Sequence, residues 1–354
     1  MEECTKYPRG YPLKMKTQRF SALPKGEGLF SLKKSRILFL GTAEFACPAL
    51  EKLILHEKIV GVVTQPDRPA GRGLKLQPSP VKQVALKKEM VVYQPENINE
   101  PSFLLKMRAL NPHFLIVIAF GQVLREEFLR LPRFYPLNLH ASLLPRYRGA
   151  APIPWVIIRG EKRTGVTVQR MREKVDAGEI ILQRSLPIEE EDTTGRLTGK
   201  LSFLGAELLI EAIIKIKESK VDFKIQEEKG VSYAPRIKKE NGKIDWQKSA
   251  LVIHNLVRGL NAYPGAFSFV RLRGKREKMK IWKTRVNTEQ DININQRDSF
   301  PGKVLRIDQG DRFLVATGEG SLWVEEVQLP GRKAISGVDF IKGYHIKQGF
   351  NLAG

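Results

Sequence analysis

The chain of 354 residues has only two cysteines, Cys4 and Cys47. Two thiols supply neither a disulfide framework nor a cysteine-rich zinc site, which points to a reducing, cytoplasmic setting. Long apolar runs are also missing: no stretch of about 18 uncharged apolar residues occurs, which excludes a membrane-spanning helix. Histidine is scarce, and His56, His113, His140, His254 and His345 lie scattered without ligand spacing, so no metal is expected. Acidic residues are outnumbered, 38 Asp and Glu facing 60 Lys and Arg, for a net charge of +22. A field of that sign attracts polyanions, nucleic acid first and membrane surface second. A composition 42% hydrophobic and 28% charged is that of a globular chain able to bury a core. Its length suits about two domains.

The positive charge is unevenly placed. Residues 1–36 hold nine Lys or Arg against Glu2, Glu3 and Glu27, with no periodic apolar pattern. Residues 1–34 therefore read as a basic, disordered extension. No apolar stretch follows the early cations, as a signal peptide requires. Glu2-Glu3 and Pro8, Pro12 and Pro24 argue against the amphipathic helix of an organellar presequence, although import stays open; a true start at Met15 is another reading. Between 241 and 350 there are 19 Lys or Arg and 11 Asp or Glu. The excess is concentrated in Arg271–Arg285, where eight cations accompany Glu277 and Trp282. Cations interleaved with an aromatic ring suit a phosphate backbone. The plainer reading is a solvated strand edge whose lysines discourage pairing.

Short apolar runs at Arg36–Gly41, Ile59–Thr64, Val91–Tyr93, Phe114–Ala119 and Leu137–His140 alternate with helical stretches at Phe45–Leu55, Val81–Glu89 and Ser102–Leu110. Runs that are continuous instead of alternating predict a parallel sheet covered on both faces, an α/β fold. Gly165–Gln169 and Ile180–Gln183 predict two more strands, and Leu197–Lys217 a long amphipathic helix. The first strand ends at Gly41, but the other glycines of the dinucleotide fingerprint are absent, which disfavours NAD. Lys224–Glu240 is charged and reads as a linker crossing a surface. From Lys243 onward β-like runs separated by turn glycines predict a small β-barrel. The partition is 1–34 extension, 35–221 catalytic unit, 222–240 linker and 241–350 basic β domain.

The most informative stretch is Asn138-Leu-His-Ala-Ser-Leu-Leu-Pro-Arg-Tyr-Arg-Gly149. On a strand, Asn138 and His140 share a face and Leu139 points away. Ligands of open parallel sheets bind outside the carboxyl ends of the strands. An amide and an imidazole projecting side by side there make a reaction centre. Asp176, in Val175-Asp-Ala-Gly-Glu179, can supply a carboxylate if Gly178 allows a tight return of the loop.

These segments resemble the methionyl-tRNA formyltransferase family, transferases that use 10-formyltetrahydrofolate as co-substrate. The resemblance runs from about Arg36 to near the C-terminus. It rests on Asn138-Leu-His140 with Ser142–Pro145, on Val175–Gly178, on the loop Thr64–Gly73 closing on Pro78–Lys82, and on Ile244-Asp-Trp246. It implies an open, mostly parallel, Rossmann-like sheet followed by an OB-like β-barrel that binds tRNA. It also implies that Asn138, His140 and Asp176 are the catalytic trio and that Ser142, Leu143, Leu144 and Pro145 line the folate site. Asn138 would donate to the developing oxyanion, His140 would carry a proton, and Asp176 would orient it. In the family the 64–82 insertion enters the acceptor end of tRNA, which assigns tRNA contact to Arg68, Arg72 and Lys75. Arg72, between Gly71 and Gly73, is the expected reader of that end. Arg271, Arg273, Lys275 and Arg276 are the expected phosphate contacts of the second domain. The expected partners are methionyl initiator tRNA and folate, with no membrane and a monomeric chain.

Two other readings share these residues. A formyltransferase acting on a UDP-amino sugar would keep Asn138, His140 and Asp176 but lack the Gln65–Gly73 loop and a net-basic second domain. A nucleic-acid-binding protein on an inactive transferase fold would not need the intact trio.

Overall fold

The computed structural model describes residues 34–70, 75–288, 300–308 and 311–352. The expectations placed on residues 1–33 and on Arg72 lie outside the described residues. The first part of the chain runs through β1 (Arg36–Gly41), α1 (Cys47–His56), β2 (Lys58–Val63), β3 (Arg68–Ala70), β4 (Lys75–Gln77), α2 (Pro80–Lys87), β5 (Val92–Tyr93), α3 (Pro101–Ala109) and β6 (Phe114–Ile118). It continues through α4 (Glu126–Leu129), β7 (Tyr135–His140), α5 (Pro152–Ile158), β8 (Arg163–Arg170), β9 (Ile180–Pro187) and α6 (Thr194–Lys217).

The apolar runs are continuous because both faces of this sheet are buried. In β1, Ile37 and Phe39 enter one core cluster while Leu38 and Leu40 enter another. The first cluster lies under α1, α2, α5 and α6, the second under α3 and α4. Strand order is β5-β2-β1-β6-β7-β8-β9. In that order the strands from β5 through β7 are parallel, whereas β8 runs antiparallel to both of its neighbours, β7 and the edge strand β9. The order reverses between β1 and β6, which opens a crevice at their carboxyl ends. Helix α6 lies close on β7 because Gly205 has no side chain: a Cβ there would come within 2.7 Å of Leu139.

The second unit holds α7 (Ala250–Gly259), β10 (Ala266–Leu272), β11 (Lys275–Val286), β12 (Val304–Ile307), β13 (Phe313–Ala316), β14 (Ser321–Gln328), β15 (Ile335–Ser336) and α8 (Gly337–Tyr344). Its antiparallel sheet has the order β10-β11-β14-β13-β12, with β15 on β14. Strands β10 and β12 do not pair among the described residues, so the expected small OB-like β-barrel takes the form of an antiparallel half-barrel. Helix α7 stands among the β-like runs that dominate this part of the chain. Ser249 caps it through Val252 N, and Ala250, Ile253 and Val257 fill the core that Trp246 enters. The Trp246 indole donates to Ser268 Oγ at 3.0 Å.

The 222–240 segment is more than a linker on a surface. Arg148 N donates to Ser232 O, Ala234 N to Arg148 O, and Ala151 N to Ala234 O, so residues 232–234 are knitted to 148–151. The two units also meet at α5 and α7. A Cβ on Gly259 would stand 2.7 Å from Ile158 Cγ1, and Thr194 Oγ1 donates to Gly259 O at 2.6 Å. Among the described residues no helix is long and apolar enough to cross a membrane.

Half-buried His254, on α7, has Nδ1 3.0 Å from Thr284 Oγ1. Burial and the Arg258 charge hold its pKa below the ordinary 6.5. The unfolded chain then binds the extra proton first, so this contribution to stability is full above about pH 6.5 and is lost as pH falls toward the folded-state value. In urea unfolding at pH 7.5 and 5.5, His254→Gln should lose less stability on acidification than the wild type.

Candidate active site

A cavity of about 600 Å³ opens over the carboxyl ends of β1, β6 and β7. Its walls include Phe45, Val117, Phe120–Leu124, Asn138, His140, Pro152–Pro154, Gln169 and Asp176. Parallel packing of β1, β6 and β7 makes the crevice, and the N-terminal ends of α5 and α6 close it with Pro152 and Thr194.

Asn138 and His140 sit at alternate positions of β7 while Leu139 packs toward α6, as the pattern predicts. Asn138 Nδ2 donates to Val117 O at 2.9 Å. Its Oδ1 accepts from Gln169 Nε2 at 3.2 Å, across the β7–β8 register that pairs these two residues. The same Gln169 nitrogen donates to Asp176 Oδ1 at 3.1 Å, so Gln169 bridges the amide and the carboxylate. His140 Nε2 lies 2.9 Å from Tyr147 O, and a carbonyl only accepts, so this nitrogen carries hydrogen. His140 Nδ1 lies 3.5 Å from Asp176 Oδ1, with the two side chains 7% and 12% exposed. A carboxylate distant in sequence is thereby brought to the two neighbouring polar groups of β7.

Asp176 reaches this place on a turn whose own backbone is left-handed, φ +51. Its Oδ2 accepts from Gly149 N at 2.8 Å. Gly178 is required by a close approach: a Cβ there would stand 1.7 Å from the carbonyl oxygen of Arg170.

The expected folate-lining residues are placed differently from the trio. Ser142, Leu143, Leu144 and Pro145 are not part of the cavity wall. They form a turn against β8 and β9, held by Thr167 Oγ1 donating to Ser142 O at 2.6 Å and Gln183 Nε2 to Leu144 O at 2.8 Å. Ser142 is fully buried, while Leu143 and Pro145 are half-buried. The wall is supplied by Phe120–Leu124, Gln169 and the Gly149–Pro154 segment, which sequence reasoning misses. A signal for the first is present in Gly121, just past the end of a central parallel strand. None is available for Gln169, whose partner depends on strand pairing.

Of the expected tRNA contacts, Arg68 and Lys75 are exposed on the β3–β4 hairpin. Lys82, a fourth cation of that region, is neutralised by Asp67 at 2.7 Å. Hydrogen bonds from Lys82 and Gln94 hold the Asp67 carboxyl below its usual range. Arg271, Arg273, Lys275 and Arg276 are exposed at the β10–β11 hairpin. Farther along β11, Arg276, Lys278 and Lys280 lie over the rings of Phe269, Phe267 and Trp282 at 4.0, 3.6 and 4.8 Å. Lys283 and Arg285 are instead paired with Glu325 at 2.8 and 3.4 Å.

Residues 35–213 match the family model described as formyl transferase, and residues 236–345 match that of the formyl transferase C-terminal domain. The methionyl-tRNA formyltransferase of Caldanaerobacter subterraneus subsp. tengcongensis is 44% identical over 89% of this chain and 98% of its own length. That of Geobacter metallireducens is 42% identical over the same shares. Among solved structures, an N-formyltransferase from Helicobacter canadensis, in complex with folinic acid and dTDP-3-aminofucose, superposes with a TM-score of 0.60 at 21% identity, covering 82% of this chain and 98% of that one. HypX from Aquifex aeolicus in complex with tetrahydrofolic acid superposes with a TM-score of 0.57 at 17% identity over 88% of this chain, which spans 47% of HypX. These two similarities concern the fold. The two family models, matched to the doubly wound sheet and to the antiparallel half-barrel that follows it, define the protein as a formyltransferase. The chain belongs to the methionyl-tRNA formyltransferase family.

Gly178→Ala should force the Asp176 turn off the Arg170 carbonyl. Overpacking of this kind costs about 1–3 kcal/mol. Thermal unfolding should register that loss, and formyl transfer should fall with it, whereas Ala177→Gly should leave turnover much closer to wild type.

Proposed function

We propose that this protein transfers the formyl group of 10-formyltetrahydrofolate to the amino group of methionine on initiator tRNA, giving N-formylmethionyl-tRNA. The observation that carries this reading is the near-full-length likeness to methionyl-tRNA formyltransferases, joined to a cavity where an amide, an imidazole and a carboxylate converge. The cavity volume of about 600 Å³ falls within the range of small-molecule sites, and apolar walls with a few polar groups suit a folate. When bound, the co-substrate supplies the formyl carbon and the nitrogen that leaves it. Ser142–Pro145 follow Ala141 of the cavity wall and in this reading line the folate site.

In the transfer, a bond forms between the methionyl nitrogen and the formyl carbon, the bond to the folate nitrogen breaks, and one proton passes from amine to folate nitrogen. Asn138 spends one amide hydrogen on Val117 O and keeps the other for the negative charge growing on the formyl oxygen. Because His140 Nε2 stays on the Tyr147 carbonyl, Nδ1 is the nitrogen that exchanges a proton. Asp176 steadies the charged ring from 3.5 Å. Arg68 and Lys75, with Arg72, approach the acceptor end of the tRNA, and Arg271, Arg273, Lys275 and Arg276 hold its phosphates. The same reading makes the chain a monomer working in the cytoplasm.

The discriminating assay compares methionyl-initiator tRNA with UDP-4-amino-arabinose as acceptor; transfer confined to the sugar would overturn the reading. Asn138→Ala should lower kcat by about 10²–10³ as an oxyanion donor is removed. His140→Ala and Asp176→Asn should also lose most turnover, and tRNA affinity should hardly change in any of the three. Wild-type turnover in one variant would remove that residue from the scheme.

Neutralising Arg271, Arg273, Lys275 and Arg276 together should weaken tRNA binding and flatten its salt dependence, by about 0.7–0.9 of slope for each phosphate left without its cation. An unchanged slope would return the hairpin to a solvated edge.

A further inference from the structure

Gln226 lies in the segment between the two units, yet it is 8% exposed and its side chain points into the catalytic unit. Its Nε2 donates to the carbonyl oxygens of Asp176 at 2.9 Å and Gly178 at 2.7 Å, on either side of the turn apex. Its Oε1 accepts from Arg148 Nε at 3.1 Å and Nη2 at 2.8 Å. Arg148 is 2% exposed and immediately precedes Gly149, whose N–H binds the Asp176 carboxylate. One amide therefore holds the backbone of the Asp176 turn and is held by the residue beside the donor to its side chain. Such an arrangement needs both ends of an amide: a carboxylate lacks the donors, and an aliphatic chain strands a buried guanidinium.

We propose that Gln226 is a positioning residue for formyl transfer, acting from the inter-unit segment by fixing the turn that sets Asp176 against His140. The inference rests on the reading of Asp176 given above and adds a residue outside the cavity wall. Without the two donated bonds the turn loses its backbone hold on Gln226 and can shift slightly against His140, and small misplacements of reacting groups cost rate more than binding.

The test is Gln226→Glu, which keeps an acceptor for Arg148 and removes the donors. It should lower kcat about 10- to 100-fold, with KM for the folate and for methionyl-tRNA within about twofold of wild type. In the NMR spectrum the ring cross-peak of His140, assigned by its disappearance in His140→Ala, should move in the same direction as in Asp176→Asn. If Gln226→Glu does not fold, Gln226→Asn is read the same way, since its shorter amide cannot reach both carbonyls. A kcat within twofold of wild type, or a fall in kcat with an unmoved His140 peak, overturns the proposal. Should Asp176→Asn itself turn over normally, the reading of Asp176 fails, and the His140 peak still decides whether Gln226 positions the turn.

Discussion

The passage of the 176–178 turn over the carbonyl of Arg170 is the close approach on which the site depends. An acid carried by a loop gains a defined place only if the loop cannot drift, and here the backbones come so near that Gly178 has no room for a side chain. Once the turn is down, the Asp176 carboxylate meets the Gly149 N–H, the Gln169 amide and the His140 ring. Each of those partners comes from a different segment, so this one approach ties the end of β7, the edge of β8 and the start of α5 into a single surface.

The antiparallel edge supplies the second condition. Because β8 runs against β7, Asn138 stands opposite Gln169 and His140 opposite Thr167. A parallel strand there would need a crossover and would deliver its far end elsewhere. The reversal uses a connection that includes α5 and brings the chain back across the crevice, so the same sheet offers an amide, an imidazole and the bridging glutamine within one cavity.

The two units are not independent beads. The inter-unit segment pairs with residues 148–151, and Gly259 lets α7 rest against α5, whose first residues line the cavity. The basic hairpin of the half-barrel and the hairpin of the 64–82 segment are thus carried on one framework with the reaction centre. Charge alone overstates the surface offered to a polyanion, since Lys82, Lys283 and Arg285 are engaged by Asp67 and Glu325. The cations of 276–280 differ, because they lie over aromatic rings that share the same sheet face.

Composition and local pattern determined the central strands, the long α6, the two-part organisation and the basic character of the second part, because continuous apolar runs and charge counts are local properties. They also determined that Asn138 and His140 share a face, since the period of a strand is two. The motif resemblance extended this to Asp176 and to the family. Tertiary structure decided the rest. Helix α5 begins Pro152-Ile-Pro154 and was hidden by prolines that a first turn tolerates. Gln169 and Gln226 gain their positions from partners 31 and 50 residues away. The Ser142–Pro145 turn owes its place to hydrogen bonds from β8 and β9 that no spacing announces. A sequence states which groups the chain owns; only the register of strands and the close approach of backbones decide which of them meet.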